Sequence, residues 1–524
     1  LDGIKENNAF PVNEELVETY KEWLKEHPFD NGGGGWAAEP WHQEEMEITE
    51  EIACRAAEKS KKAVFLIGRT AGEDKDYEDT EGSYLLTKRE KENLRIVTKY
   101  FDEVAVLLNV SNIIDMSWTK DAAYQDHIKA ILYIWQGGME GANAVADLLS
   151  GRVTPSGKLT DTIAEKLSDY PAADHFGSKT ENIYAEDIYV GYRYFDTFNV
   201  TPNYCFGYGK GYTDFETEVR DVEADDKNVT VTASVKNIGD TFAGKEVVQV
   251  YYSAPDGTIE KPYQELGGFG KSDLLSPGES QTITISFPTR SMASYDEKKA
   301  AWVLEAGTYY IRVGNSSRTT KVAAALNLKE TVVTVQGKNL FPADDAPQEL
   351  SKAGVTPYSY EGEAEEKAAA KQIDICSKCI KTETVVYSGT PEAFPVYEGE
   401  KLTAADVKSG KATLKDLVSQ LTVEEMATVC NGTADGLGQE GFIGSSSDMA
   451  PGAAGDTTSI LLADRGIYNT ILADGPAGLR LIPHFVVDAD GKMVSSGNPL
   501  EDAFNKNEIE VPEGGTEYFQ YCTV

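Results

Sequence analysis

Ala63-Val-Phe-Leu-Ile-Gly68 is an unbroken apolar run that ends on a glycine, and two more of the same kind follow it, Val104-Ala-Val-Leu-Leu-Asn109 and Ala130-Ile-Leu-Tyr-Ile-Trp135. None alternates with polar residues, so each reads as a strand buried on both faces. Helix-like stretches sit between and after them, Lys88–Phe101 and Glu140–Leu149. Strands of this kind separated by helices predict a parallel sheet covered on both faces, an α/β layer domain. Working outward, Val12 to His27 places Leu16, Val17, Tyr20, Trp23 and Leu24 on one helical face, so the domain is expected to span 1–215.

From 216 to 335 the period changes to two. Val229, Val231, Ala233 and Val235 alternate with polar residues, and Glu246–Tyr252, Thr282–Phe287 and Thr308–Val313 are similar short runs. Ser276-Pro-Gly278 supplies a turn. Strands at this spacing predict an immunoglobulin-like sandwich, read as a structural or docking module. Residues 336–410 lose periodicity, and Glu361–Ala370 reads as a solvated linker or an exposed helix. A helix is expected again over Leu414–Val429, with Thr422 and Glu425 at capping-box spacing. A strand-like run, Ile471-Leu-Ala-Asp474, then ends in a Gly/Pro turn, and 480–524 shows no clear element.

The 524 residues carry 49 Lys and Arg against 86 Asp and Glu, a net charge of −37. Such a chain repels phosphate backbones and anionic lipid headgroups, which argues against nucleic-acid and membrane-surface binding. Hydrophobic residues at 41% exclude global disorder, and no apolar run approaches the ~18 residues of a membrane span. The six cysteines are scattered, so no disulfide framework is implied and a reduced, cytoplasmic setting is expected. Export stays open, because the chain opens on Leu1 without a signal pattern and is expected to begin inside a longer protein.

Most familiar chemistries find no support. The five histidines lack metal spacing, Cys376-Ser-Lys-Cys379 is a single pair where zinc needs four ligands, and Gly32–Gly35 has no phosphate-loop continuation. No Gly-x-Ser-x-Gly occurs. Carboxylates remain. Arg69-Thr-Ala-Gly-Glu73-Asp-Lys-Asp-Tyr-Glu-Asp-Thr-Glu81 directly follows the first strand, and ligand groups in open α/β sheets gather at the carboxyl ends of strands. Six acids so close would raise one another's pKa, which suits a general acid; composition alone favours an acidic solvated loop. Asp474 also ends a strand-like run, six positions before Arg480, where the two could hold sugar hydroxyls or merely cap a turn.

Five motifs together resemble glycoside hydrolase family 3 β-glucosidases: Asp187-Ile-Tyr-Val-Gly-Tyr-Arg-Tyr-Phe-Asp196, Phe206-Gly-Tyr-Gly209, Trp135-Gln-Gly-Gly138, Thr154-Pro-Ser-Gly-Lys-Leu159 and Leu472-Ala-Asp-Gly-Pro-Ala-Gly-Leu-Arg480. The resemblance runs through 1–335 and again through 411–485. It implies an α/β sandwich domain with a mostly parallel sheet, a fibronectin type III-like domain at 216–335, a linker at 336–410, and at 411–524 the start of a (β/α)8-type barrel. Most of the family runs barrel, sandwich, fibronectin; this order resembles the permuted subgroup. By the resemblance Glu73, after Gly72, is the acid/base, with Glu78 and Glu81 as rivals. Asp474 binds hydroxyls of the cleaved sugar, and Arg480 shapes that subsite.

The 114 residues from 411 fall short of the ~250 of a complete barrel, and the family's nucleophile motif is absent. Asp448 lacks the aromatic that should follow it. The expectation is therefore a retaining exo-β-glycosidase, a β-glucosidase acting on gluco-oligosaccharides or aryl glucosides without metal or organic cofactor. Its nucleophile would lie in a missing segment or a second chain, and self-association is left open. The alternative is a non-catalytic carbohydrate-binding relative; a purely structural surface module would leave the motifs around Glu73 and Asp474 unexplained.

Overall fold

A computed structural model of the chain describes residues 2–33, 37–70, 75–138, 140–342, 347–387, 398–432, 447, 449–473, 481–494 and 510–519. It divides into two units, Leu1–Val386 and Tyr387–Val524.

The first unit opens with α1 (Asp2–Asn7), α2 (Glu14–Glu26) and α3 (Glu50–Ala57), followed by β1 (Lys62–Gly68), α4 (Lys88–Tyr100), β2 (Glu103–Asn109), β3 (Ile128–Tyr133) and α5 (Gly141–Ser150). All three apolar runs form strands, in the parallel order β1-β2-β3, with Lys62 beside Glu103 and Gly68 beside Asn109. β2 is central, and Val104, Val106, Leu107 and Leu108 are buried. Ile67, Leu94 and Ile114 close the core together with Ala53 and Ala57 of α3. One expectation changes. Val64 and Leu66 of β1 are 46% and 52% exposed, so the sheet is not covered on both faces there. In α2, Val17 is buried and Tyr20 and Trp23 pack on the core, but Leu24, at the rim of the apolar face, is half-exposed.

After α6 (Tyr192–Thr197) the chain enters a β-sandwich: β4 (Phe215–Ala224), β5 (Asn228–Asn237), β6 (Val247–Ser253), β7 (Glu265–Lys271), β8 (Ser280–Pro288), β9 (Ser294–Asp296), β10 (Ala301–Leu304), β11 (Gly307–Gly314), β12 (Lys321–Leu328) and β13 (Val332–Gln336). The period-two reading holds at atomic level: Val229, Val231, Ala233 and Val235 are fully buried and face Ile283, Ile285 and Phe287 of β8 in one core. Burying each such valine contributes about 1.5–3 kcal/mol over leaving it in water.

The stretch expected as a linker is partly built into this sandwich. α7 (Glu363–Ala369) is followed by β14 (Lys371–Ile375), which joins β12 as a parallel edge strand, and β15 (Glu383–Thr384) extends β13. Ile373 and Ile375 give the physical reason, since both pack against the sandwich core. Cys376 and Cys379, at the end of β14, are disulfide-bonded, against the expectation from scattered cysteines.

Three of the resemblance motifs, Asp187–Asp196, Phe206–Gly209 and Thr154–Leu159, lie along the seam between the layer domain and the sandwich. Arg318 Nε donates to Asp196 Oδ1 at 2.5 Å, and its Nη2 donates to the carbonyls of Phe195 and Val200. Gln264 Nε2 donates to the other Asp196 oxygen at 3.0 Å. Tyr192 stacks on Phe206, and Lys158 pairs with the buried Glu246 at 2.8 Å. Deeper still, Arg312 is fully buried and pairs with Glu363, whose carboxyl also accepts from Ser359 and Tyr263. Burial pushes that carboxyl up, but the bonds from Ser359, Arg312 and Lys367 prevail and hold it near about 2.

In the second unit, α8 (Ala404–Lys408), α9 (Leu414–Val418), α10 (Val423–Asn431) and α11 (Ser459–Arg465) accompany two short antiparallel pairs. These are β16 (Gly455–Asp456) with β17 (Ile471–Leu472), and β18 (His484–Val487) with β19 (Thr516–Phe519). The single helix expected over 414–429 is two, because the Thr422–Glu425 capping box starts a new one: Glu425 N donates to Thr422 Oγ1 at 3.1 Å and Thr422 N to Glu425 Oε2 at 2.8 Å. The last part, expected to lack elements, contributes β18 and β19. The parallel strands of a barrel are not among the described residues.

Candidate active site

Glu73, Asp474 and Arg480, the three residues singled out from sequence, lie outside the described residues. What is described is the chain on either side of residues 71–74, and its frame begins with Arg69, the first residue past β1. Its side chain is fully buried and bonds on every side. Nη1 and Nη2 form a bidentate pair with Glu90 at 2.6 and 3.0 Å, Nε donates to Ser83 O at 2.9 Å, and the two Nη atoms also reach the carbonyls of Gly68 and Leu85. Glu90 has a second task. It is the N3 residue of the α4 capping box, accepting from Thr87 N at 2.7 Å. One ion pair thereby ties the end of β1, the turn 80–85 and the start of α4 together.

The other side of the frame is the segment before α3. Thr70 N donates to Trp41 O at 2.9 Å and Thr70 Oγ1 to Pro40 O at 2.7 Å. Lys75 donates to Glu39 O and lies 4.7 Å from the Trp41 ring, which stacks on Tyr77 at 4.3 Å. His42 packs over Gly82, whose φ of +83° only glycine adopts readily and where a Cβ would collide with the imidazole. Of the two rivals to Glu73, Glu81 accepts from Lys88 N at 3.3 Å and so serves the first turn of α4. Glu78 is exposed, with its backbone engaged by Ser83, Thr80 and Tyr84.

Sequence reasoning missed Glu45. Burial first, then the Glu90 charge, push its carboxyl up to about 7 against the pull of Arg69. The folded protein thus holds the proton more tightly than the unfolded chain does, so Glu45's contribution to stability is complete below pH 4.5 and is lost as pH rises through about 7. Glu45→Gln is expected to flatten that loss, on the order of 2 kcal/mol, in urea midpoints measured from pH 5 to 8. An unchanged slope would place the carboxyl in water. Arg69 and Glu90 had visible signals, an arginine ending an apolar strand and a Thr87-x-x-Glu90 capping box, but their pairing spans 21 positions. Among the described residues no cluster of His, Cys, Asp and Glu is arranged to hold a metal.

An α/β layer locked to a β-sandwich along an Arg–Asp and Lys–Glu seam defines the class of protein. Residues 1–192 match the glycosyl hydrolase family 3 C-terminal domain and residues 246–317 a fibronectin type III-like domain. The chain therefore carries the C-terminal domain of glycosyl hydrolase family 3 joined to its fibronectin type III-like partner. A beta-glucosidase of Ruminococcus albus is 39% identical over 536 residues, covering 99% of this chain and 52% of that protein. The solved structure of a beta-glucosidase from Paenibacillus barengoltzii matches with a TM-score of 0.77 at 41% identity, over 96% of this chain and 54% of that one. Beta-glucosidase 3B from Thermotoga neapolitana, solved with α-D-glucose, matches with a TM-score of 0.57 at 37% identity, over 63% and 46%. The chain spans about half the length of the relatives it matches.

Proposed function

We propose that this chain forms the acid/base-bearing part of a retaining exo-β-glucosidase. The observation that carries the reading is the 39% identity maintained over 99% of the chain to a protein named beta-glucosidase. In the mechanism, a carboxylate from outside these 524 residues attacks the anomeric carbon and forms a glycosyl-enzyme. Glu73 protonates the leaving oxygen, then takes the proton of the attacking water. The two carboxyls must lie ~5–5.5 Å apart. Asp474 and Arg480 hold hydroxyls of the cleaved sugar by charge-assisted hydrogen bonds, which reject a sugar lacking the hydroxyl. On this reading 411–524 begins the barrel, completed by a further segment or chain, and the substrate is a β-glucoside or β-linked gluco-oligosaccharide. A cytoplasmic location goes with the proposal through Cys54, Cys205 and Cys430, which are unpaired among the described residues, while the Cys376–Cys379 bond counts against it.

The test is intact mass before and after treatment with a 2-deoxy-2-fluoro-β-glucoside carrying an activated leaving group. One added sugar per active site, with loss of turnover, is expected. No adduct and no turnover of aryl glucosides would overturn the reading in favour of a carbohydrate-binding relative.

A further inference from the structure

We propose that Cys376 and Cys379 form a reversible thiol–disulfide site whose state sets how firmly residues 376–386 are held to the sandwich. The bond closes a ring around Ser377 and Lys378 alone, in a single helical turn where Cys379 N donates to Cys376 O at 3.0 Å. It joins no two strands or layers, so the folded sandwich does not rest on it. Both cysteines are exposed and open to a reductant in solution, and exposure is what separates labile disulfides from buried structural ones. Cys54, Cys205 and Cys430 are unpaired among the described residues, so no second bond is seen to share the load.

The position of the bond gives it a consequence. β14 belongs to the sheet of β12 and β15 to the sheet of β13, so residues 376–382 carry the chain from one sheet to another. The near side is well anchored: β14 pairs with β12 from Lys371 to Ile375, Lys371 Nζ donates to Asp221 Oδ1 at 2.6 Å, and Ile375 is buried. The far side is held lightly. β15 pairs with β13 at Glu383 and Thr384, Thr382 Oγ1 donates to Val333 O at 2.8 Å, and Val385 N donates to Gln336 O at 2.9 Å. Every residue from 381 to 387 is exposed. Between the two sides Ile380 packs on the core, and the ring fixes its reach from Ile375. When a dithiol reductant acts, one of its thiolates attacks a sulfur and the S–S bond breaks into a mixed disulfide. The second thiol of the reductant completes the exchange; the reductant gives up two electrons and two protons, and both cysteines are left as thiols. The corner then regains the chain entropy that the ring had removed, and β15, with its exposed pairs, is the part that opens.

The experiment uses the full chain, incubated without denaturant in dithiothreitol and then returned to oxidised glutathione. Iodoacetamide labelling is read on the peptide holding both cysteines, and amide exchange is followed by mass spectrometry. The pair is expected to open to two labelled thiols and to close again. Exchange over 376–386 is expected to quicken on the order of tenfold on reduction, the effect of releasing a short loop, while β5 and β8 keep their protection. Cys376→Ser combined with Cys379→Ser is expected to exchange like the reduced protein whatever the reductant, and the reductant alone keeps the test in force should that variant fail to fold. A pair that resists dithiothreitol until urea is added is a structural staple, and one that stays as two thiols in oxidised glutathione is no disulfide site; either result overturns the proposal. Exchange over 376–386 that is the same in both states, or a change that spreads through β5 and β8, overturns it as well.

Discussion

Glu73→Ala is expected to slow hydrolysis of alkyl β-glucosides by about 10²–10⁴-fold, the usual contribution of a positioned general acid, and glycosylation by dinitrophenyl glucosides far less. A poor leaving group departs only as the proton arrives, whereas dinitrophenolate departs without one. The deglycosylation half-reaction still needs a base, so the glycosyl-enzyme should accumulate with the activated substrate and appear as a burst. Azide, which attacks without general base help, should then restore turnover and yield β-glucosyl azide. Equal loss on both substrates and no azide product would move the role to another carboxylate. Glu78 is then the first alternative, since Glu81 is occupied at the N-terminus of α4.

Arg69→Met is expected to destabilise the first unit by about 3–5 kcal/mol, the scale for breaking a buried pair from one side. The variant leaves Glu90 charged and 2% exposed with its strongest partner gone, and the carbonyls of Gly68, Ser83 and Leu85 lose their donor. Arg69→Met with Glu90→Met removes the stranded charge as well, so chemical denaturation should show the double variant losing less than the sum of the single ones. A loss below about 1 kcal/mol for Arg69→Met would mean that water reaches the pair. The same substitution removes the cation that holds Glu45 down, so the pH at which Glu45 ionises should rise further.

The fold was legible wherever burial repeats at a local period. Three apolar runs without polar alternation became β1, β2 and β3, and the alternation from Val229 to Val235 became one buried face of the sandwich core. The motifs of the resemblance were legible too, although the structure gives several of them a mechanical task, as with Asp196 under Arg318 and Lys158 beside Glu246. Local signals also misled where two elements abut: the Thr422 cap lies inside what periodicity alone joined into one helix.

By itself, then, the sequence determined most of the strands and helices and which family the first domain belongs to, and it supplied the carboxylates on which the proposed chemistry rests. Each of these follows from side chains near one another along the chain, where hydrophobic spacing acts locally. Only the tertiary structure decided what surrounds the acidic loop: that Arg69 finds Glu90, that Thr70 and Lys75 meet at Trp41, that Glu45 is pushed toward neutrality, and that Lys371–Ile375 leaves the supposed linker to pair with β12. The reason is common to all four. A polar group's worth is set by the partners and the water it meets when buried, and those come from segments 21 to 47 positions away along the chain.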